Sequence, residues 1–188
     1  MELVSEAIAF AVKAHDGMRR RKSNAPYVLH PMEVAVIVGT MTDNQNVIAA
    51  AVLHDVVEDA GITIEEVEER FGARVKELVA SETENKREDL PPEETWRVRK
   101  EESIEVLKNT NDIDVLILWM GDKLSNIRAI YQSWKAEGDS VWQKFHEPDI
   151  NRQAWYYRSI MKYTERLSNT SAWNEYKTLV EEIFGVEE

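Results

Sequence analysis

Apolar residues recur at helical spacing from the first residues: Leu3, Ala7, Phe10, Ala11 and Ala14 predict a helix over residues 3–16. A polar stretch, Asp16 to Tyr27, reads as a loop. Pro31 then stands where a first helical turn accepts proline, and predicts a helix through Val38. Residues 46–58 are apolar all round, from Val47 to Val57, as a central buried helix would be. Gly61 ends that run. Thr63-Ile64-Glu65-Glu66 is a capping-box sequence that opens a short helix to Phe71, with Gly72 as its stop. Further helices are predicted over 73–82, 93–109, 112–132, 149–168 and 172–184. The polar stretch 83–92 ends in Pro91-Pro92 and reads as a loop, and 135–148, with Gly138 and Pro148, as irregular. No segment alternates as a strand would. The expected fold class is all-α, a single helical domain over residues 1–188.

Composition narrows what this domain does. The chain has no cysteine, so disulfides and thiolate metal sites are excluded and histidine and carboxylate remain as the strong ligands. The formal net charge of −12 repels nucleic acid at long range, so no nucleic-acid partner is expected. No apolar run approaches the roughly 20 residues of a membrane span, and Met1-Glu2-Leu3-Val4 lacks the basic flank of a signal peptide; a cytoplasmic protein with no membrane partner is expected. A phosphorylated substrate meets the same repulsion, so its site must rest on a cation and a local basic cluster. The densest such cluster is Arg19-Arg20-Arg21-Lys22.

The candidate chemistry centres on His54-Asp55, inside the apolar run. A buried carboxylate needs a partner, and no Lys or Arg lies within that helix. A divalent cation satisfies both residues at once; a remote Arg or a buried hydrogen bond is the alternative. Asp55, Glu58 and Asp59 stand at i, i+3 and i+4, so three mutually repelling carboxylates share one helix face. Glu58 and Asp59 taken singly also suit a solvated helix end, whereas Asp55 sits one turn deeper. Asp122 repeats the pattern after the apolar run Ile113–Met120, with a simple pair to Lys123 as its alternative. Gly121 before it would permit close helix approach, and Ser125 and Asn126 follow at i+3 and i+4. His30, at a loop-to-helix junction, is one of only four histidines. Two imidazoles and two carboxylates suit manganese, iron, cobalt or zinc, and so few histidines furnish one metal rather than two.

The order His…His-Asp…Asp on a helical chain resembles the HD-domain phosphohydrolases. Closer still, Ala14-His15-Asp16-Gly17, Arg21-Lys22-Ser23, Pro26 to Pro31, Leu53 to Asp59, Thr63 to Val79 and Asp122 to Arg128 look like the hydrolase domain of the RelA/SpoT homologues. Their stand-alone small alarmone hydrolases are the nearest likeness. That resemblance implies an HD-domain helical bundle that splits the 3′-pyrophosphate from the guanine nucleotide (p)ppGpp, releasing GDP or GTP and pyrophosphate, with one divalent metal, usually manganese. It implies His30, His54, Asp55 and Asp122 as metal ligands, and Glu58 and Asp59 as the catalytic carboxylates at the attacking water and the leaving group. Arg20, Arg21 and Lys22 would face guanine and phosphates, Asn126 would hold the nucleotide, and Tyr156 would stack on a base. Ser125 stands where the family commonly has histidine. Alternatives of other kinds are an HD-type hydrolase of a deoxynucleotide monophosphate or of the NADPH 2′-phosphate, and a non-catalytic alarmone-binding domain. The oligomeric state is not read from the sequence.

Overall fold

The structure is a computed structural model that describes residues 2–20, 24–87 and 89–186; Arg21 and Lys22 of the basic cluster lie outside the described residues. Among these the secondary structure is helical, with one isolated antiparallel bridge between Arg19 and Pro26. The chain divides into two compact units, one of residues 1–83 with 112–125, the other of residues 84–111 with 126–188.

The first unit is built around helix α3 (Gln45–Leu53), whose Val47, Ala49, Ala50, Ala51, Val52 and Leu53 are all buried. Three consecutive alanines keep that helix thin, so neighbours approach closely on several sides. Helices α1 (Leu3–Ala14), α2 (Leu29–Gly39) and α6 (Ala73–Glu82) pack against it. Burying such an apolar surface supplies the main drive to fold, about 25 cal/mol for each Å² removed from water. Helix α5 (Ile64–Phe71) packs on α6. Its start is capped as the sequence predicts, by the Thr63 hydroxyl accepting from the Glu66 amide at 3.1 Å. Gly72 links α5 to α6 at a φ of +88°, a conformation that suits glycine.

The predicted helix 46–58 is broken. It stops at Leu53 and resumes as the single turn α4 (Val56–Asp59), with His54 and Asp55 in the turn between them. The His54 ring explains the break. Its Nδ1 lies 2.8 Å from the Ala51 carbonyl oxygen, the acceptor that the Asp55 amide would claim in an unbroken helix.

The second unit contains α7 (Pro92–Asn109), α9 (Ile150–Tyr163) and α10 (Ser171–Phe184), with α9 packed against both others. Helix α8 (Ile113–Glu137) carries the division between units after Ser125. It runs five residues beyond the predicted end. Part of the stretch expected to be irregular is a 3-10 helix, Gly138–Lys144, and a second, Glu165–Leu167, follows α9 where one longer helix was expected. No helix among the described residues is long and apolar enough to cross a membrane.

Candidate metal centre

Four side chains of the first unit converge. His30 comes from the first turn of α2, His54 and Asp55 from the break after α3, and Asp122 from the buried middle of α8. His30 Nε2 lies 3.0 Å from Asp122 Oδ1 and 3.5 Å from Asp55 Oδ2. His54 Nε2 lies 3.2 Å from Asp55 Oδ2 and 3.4 Å from Asp122 Oδ1. His30, His54 and Asp122 are all buried, at 5% exposure or less. Gly121 lets α8 come close enough: a Cβ there would stand 2.6 Å from Val38 Cγ2 on α2.

The hydrogen bonds behind the two imidazoles fix where their lone pairs point. The acceptor at His54 Nδ1 is a carbonyl oxygen, so Nδ1 carries the proton of the neutral ring and Nε2 is the acceptor. His30 Nδ1 lies 2.9 Å from Ser125 Oγ, and the Ser125 hydroxyl donates to Glu33 Oε2 at 2.8 Å. With its only proton given to Glu33, the hydroxyl can only accept from His30, so Nε2 of His30 is again the lone-pair atom. Buried His54 Nε2 makes no hydrogen bond among the described residues.

With both rings neutral, two nitrogen lone pairs and two carboxylate oxygens face one another, and a proton or a cation is needed between them. A divalent ion with bonds of about 2.1 Å separates neighbouring ligand atoms by roughly 3.0–3.4 Å, close to the spacings found. The residues fit a divalent cation, and His30, His54 and Asp122 each offer one ligand atom within 4.8 Å of the others. The electrostatics agree. Burial pushes His54 down, but the carboxylates of Asp55 and Asp122 outweigh it and hold its proton affinity well above the ordinary imidazole range. Burial likewise raises Asp55 and Asp122, but His54 and His30 beside the first, and Lys123 with both histidines beside the second, bring their pKa values below the usual carboxylate range. The site attracts positive charge.

Asp122 forms the pair with Lys123 that its sequence offered as the alternative, and still turns one oxygen to the histidines. Lys123 Nζ donates to Oδ2, while Oδ1 faces the imidazoles. Lys123 also lies 3.0 Å from Glu82, a carboxylate 6% exposed at the end of α6.

A carboxylate pair flanks the centre. The Tyr27 hydroxyl lies 2.8 Å from Asp55 Oδ2 and 2.6 Å from Asp59 Oδ2, so its one proton is shared between the imidazole-facing oxygen and the next turn of helix. Burial and the two carboxylates push the phenol far above its usual pKa and keep it protonated. Glu58 is half-buried on the same turn. Tyr27 is held by the loop before α2, where its amide donates to Met18 O and the Arg20 amide to Ala25 O. The Arg20 guanidinium, one member of the basic cluster, lies 5.8 Å from the Tyr27 ring centre. His15, 2% exposed, packs against the same ring at 5.0 Å, and burial lowers its pKa.

Asn126 and Tyr156 belong to the second unit. Asn126 is half-buried on α8, one residue past the division. Tyr156 is 4% exposed on α9, edge-on to Trp96 at 6.2 Å and 4.9 Å from Lys100 Nζ. The other α7 cations near it are engaged within that unit, Arg97 with Glu101 and over the Trp155 ring, Arg99 with Glu84.

Sequence reasoning gave no role to Tyr27, Glu33 or Glu82. Glu33 did carry a signal, since it lies at i+3 from His30 on one helix face. Tyr27 and Glu82 reach their partners through tertiary structure alone.

The HD-domain family matches residues 7–148. Guanosine-3′,5′-bis(diphosphate) 3′-pyrophosphohydrolase of Aquifex aeolicus is 34% identical over 130 residues, 69% of this chain and 18% of that protein. GTP pyrophosphokinase rsh of Brucella ovis is 33% identical over 128 residues, 68% of this chain and 17% of that protein. The chain thus spans less than a fifth of these curated relatives. Among solved structures, lmo0812 of Listeria monocytogenes is 33% identical, with a TM-score of 0.72 over 84% of this chain and 99% of its own. A metazoan ortholog of SpoT, 23% identical, has the same fold, with a TM-score of 0.77 over 99% of this chain and 98% of its own. With the match covering most of its length, this chain belongs to the HD-domain family.

Proposed function

We propose that the protein is a metal-dependent hydrolase that removes the 3′-pyrophosphate of (p)ppGpp. The observation that carries this reading is the convergence of the Nε2 atoms of His30 and His54 with Asp55 and Asp122, beside the Tyr27-linked Asp59. It is supported by likeness to a relative named for this reaction. In this reading His30, His54, Asp55 and Asp122 hold one divalent cation, manganese by preference. Bound there, it would offset the charge that develops on the phosphoryl oxygens.

The chain's own groups supply the rest. Asp59 accepts a proton from the attacking water, held beside the centre by the Tyr27 hydroxyl. Glu58 manages charge at the leaving 3′-oxygen. One water is consumed: its oxygen bonds to phosphorus, the bond from that phosphorus to the 3′-oxygen breaks, and the 3′-oxygen takes a proton. Arg20, Arg21 and Lys22 meet guanine and phosphates, where the planar guanidinium can both stack and pair with phosphate. The cytoplasm, where such nucleotides turn over, is the compartment this reading implies.

The test is pyrophosphate release from ppGpp by metal-stripped protein with and without manganese. Manganese-dependent release with GDP as co-product is expected. Cleavage of other nucleotides in its place would keep the centre and refute the alarmone. Asp59→Asn is expected to bind ppGpp without turning it over, and unchanged turnover would remove Asp59 from the mechanism.

A further inference from the structure

The two imidazoles at the centre are held in different ways. His54 gives its Nδ1 proton to the Ala51 backbone carbonyl, a partner that no side-chain substitution removes. His30 gives its own to the hydroxyl of Ser125, 95 residues away in the chain, and that hydroxyl is in turn held by Glu33. Ser125 is 1% exposed, and the contact between it and His30 is fully buried.

We infer that Glu33 and Ser125 are positioning residues for His30: together they keep its Nε2 lone pair turned to a divalent cation, and so set the cation affinity of the centre. A serine hydroxyl is not by itself directional, because it can donate or accept and can rotate. If it turned its proton toward His30, Nδ1 would become the acceptor and the ring would present N–H to the cation. The Glu33 carboxylate prevents this. It only accepts, so it claims the hydroxyl proton and leaves the Ser125 oxygen as an acceptor for Nδ1–H. An imidazole ligand held by a carboxylate through an intermediate group is also a better electron donor, and loss of such outer partners typically costs 10–100-fold in metal affinity. Glu33 and His30 lie one turn apart on α2 and Ser125 lies one turn after Asp122 on α8, so the relay also ties together two of the elements that supply ligands.

This inference rests on the proposed metal centre and not on the alarmone as substrate, so it is tested with the metal alone. Mn(II) binding to the metal-stripped full chain is followed by loss of the free-ion resonance. Ser125→Ala is expected to weaken binding 10–100-fold. Alanine is well tolerated in a helix, so α8 should persist. Glu33→Gln, at a half-buried position, keeps the size of the side chain but lets its amide donate to the hydroxyl; a loss of about 3–10-fold is expected. In zinc-loaded protein labelled with ¹⁵N-histidine, the Nδ1 proton of His30 should be visible and slow to exchange in the wild type. It should be lost or fast in Ser125→Ala, with that of His54 unchanged, a pattern that general loosening of the fold would not produce. Affinity within twofold of wild type in both variants overturns the inference. A wild type that takes up no Mn(II) overturns the metal centre with it. Failure to cleave ppGpp with the affinity losses intact would refute only the substrate.

Discussion

The Glu82 carboxylate is buried at the end of α6 with Lys123 as its ionic partner, and burial outweighs that partner, pushing its pKa from 4.5 up to about 7. Between about pH 4.5 and 7 the folded protein therefore keeps a proton that the unfolded chain has released. Stability contributed by that proton is present below this window, falls as pH rises through it, and is gone above it. The span is about 2.5 units, or about 3 kcal/mol. Glu82→Gln holds a neutral group at every pH, so its stability relative to wild type should rise from pH 5 to pH 8 by up to that amount. Chemical denaturation of the metal-free proteins at several pH values reads this directly, and parallel curves would refute it. No sequence pattern disclosed this residue: a Glu near a helix end reads as solvated, and its burial follows from where α6 and α8 meet. His54, Asp55 and Asp122 were legible for the opposite reason. They interrupt apolar runs, where a polar residue has to be accounted for by some partner.

At the scale of elements, helical periodicity located the segments because each has an apolar face that the fold buries. Their ends were less legible where side chains compete with the backbone, as at His54, or where a helix passes into 3-10 geometry after Glu137 and Tyr163. The approach of α8 to α2 was foreshadowed by one residue. A Cβ on Gly121 would lie 2.6 Å from Val38 Cγ2 and 3.3 Å from both Val34 Cγ1 and the Val34 carbonyl oxygen. The methyl of Val38 can yield; the backbone oxygen of Val34 cannot without moving α2. Gly121→Ala should therefore destabilise the protein by about 1–3 kcal/mol, despite alanine's better helix propensity. Adding Val38→Ala removes the nearest clash, so the double variant should be more stable than the sum of the two single losses predicts. Strict additivity in thermal denaturation would show that the helices have room to part. Since Gly121 adjoins Asp122 and α2 carries His30, the single variant should also bind Mn(II) less tightly.

Across the whole molecule, the all-α class was legible from periodicity, but the division into two units was not. It falls within α8, between Ser125 and Asn126, inside one unbroken helix with no loop to mark a boundary. The centre unites residues that are far apart in sequence, from α2, the turn after α3 and α8, and a cation there would cross-link three elements that the unfolded chain does not bring together. A ligand that binds only the folded state stabilises it by about 2.7 kcal/mol at 100 times its Kd. For a chain of this size each kcal/mol moves Tm by roughly 2–4 °C. Mn(II) at that excess should raise Tm by roughly 5–10 °C over the chelated protein. His54→Ala, which removes one of the proposed ligands and leaves the surface charge almost unchanged, should remove the part of the rise that the centre supplies. A chain of net charge −12 also gathers cations diffusely, and that contribution should survive in His54→Ala. The difference between wild type and variant, not the rise itself, therefore measures the centre. Equal rises in both would leave diffuse charge as the whole effect and refute the assignment of His54 as a ligand.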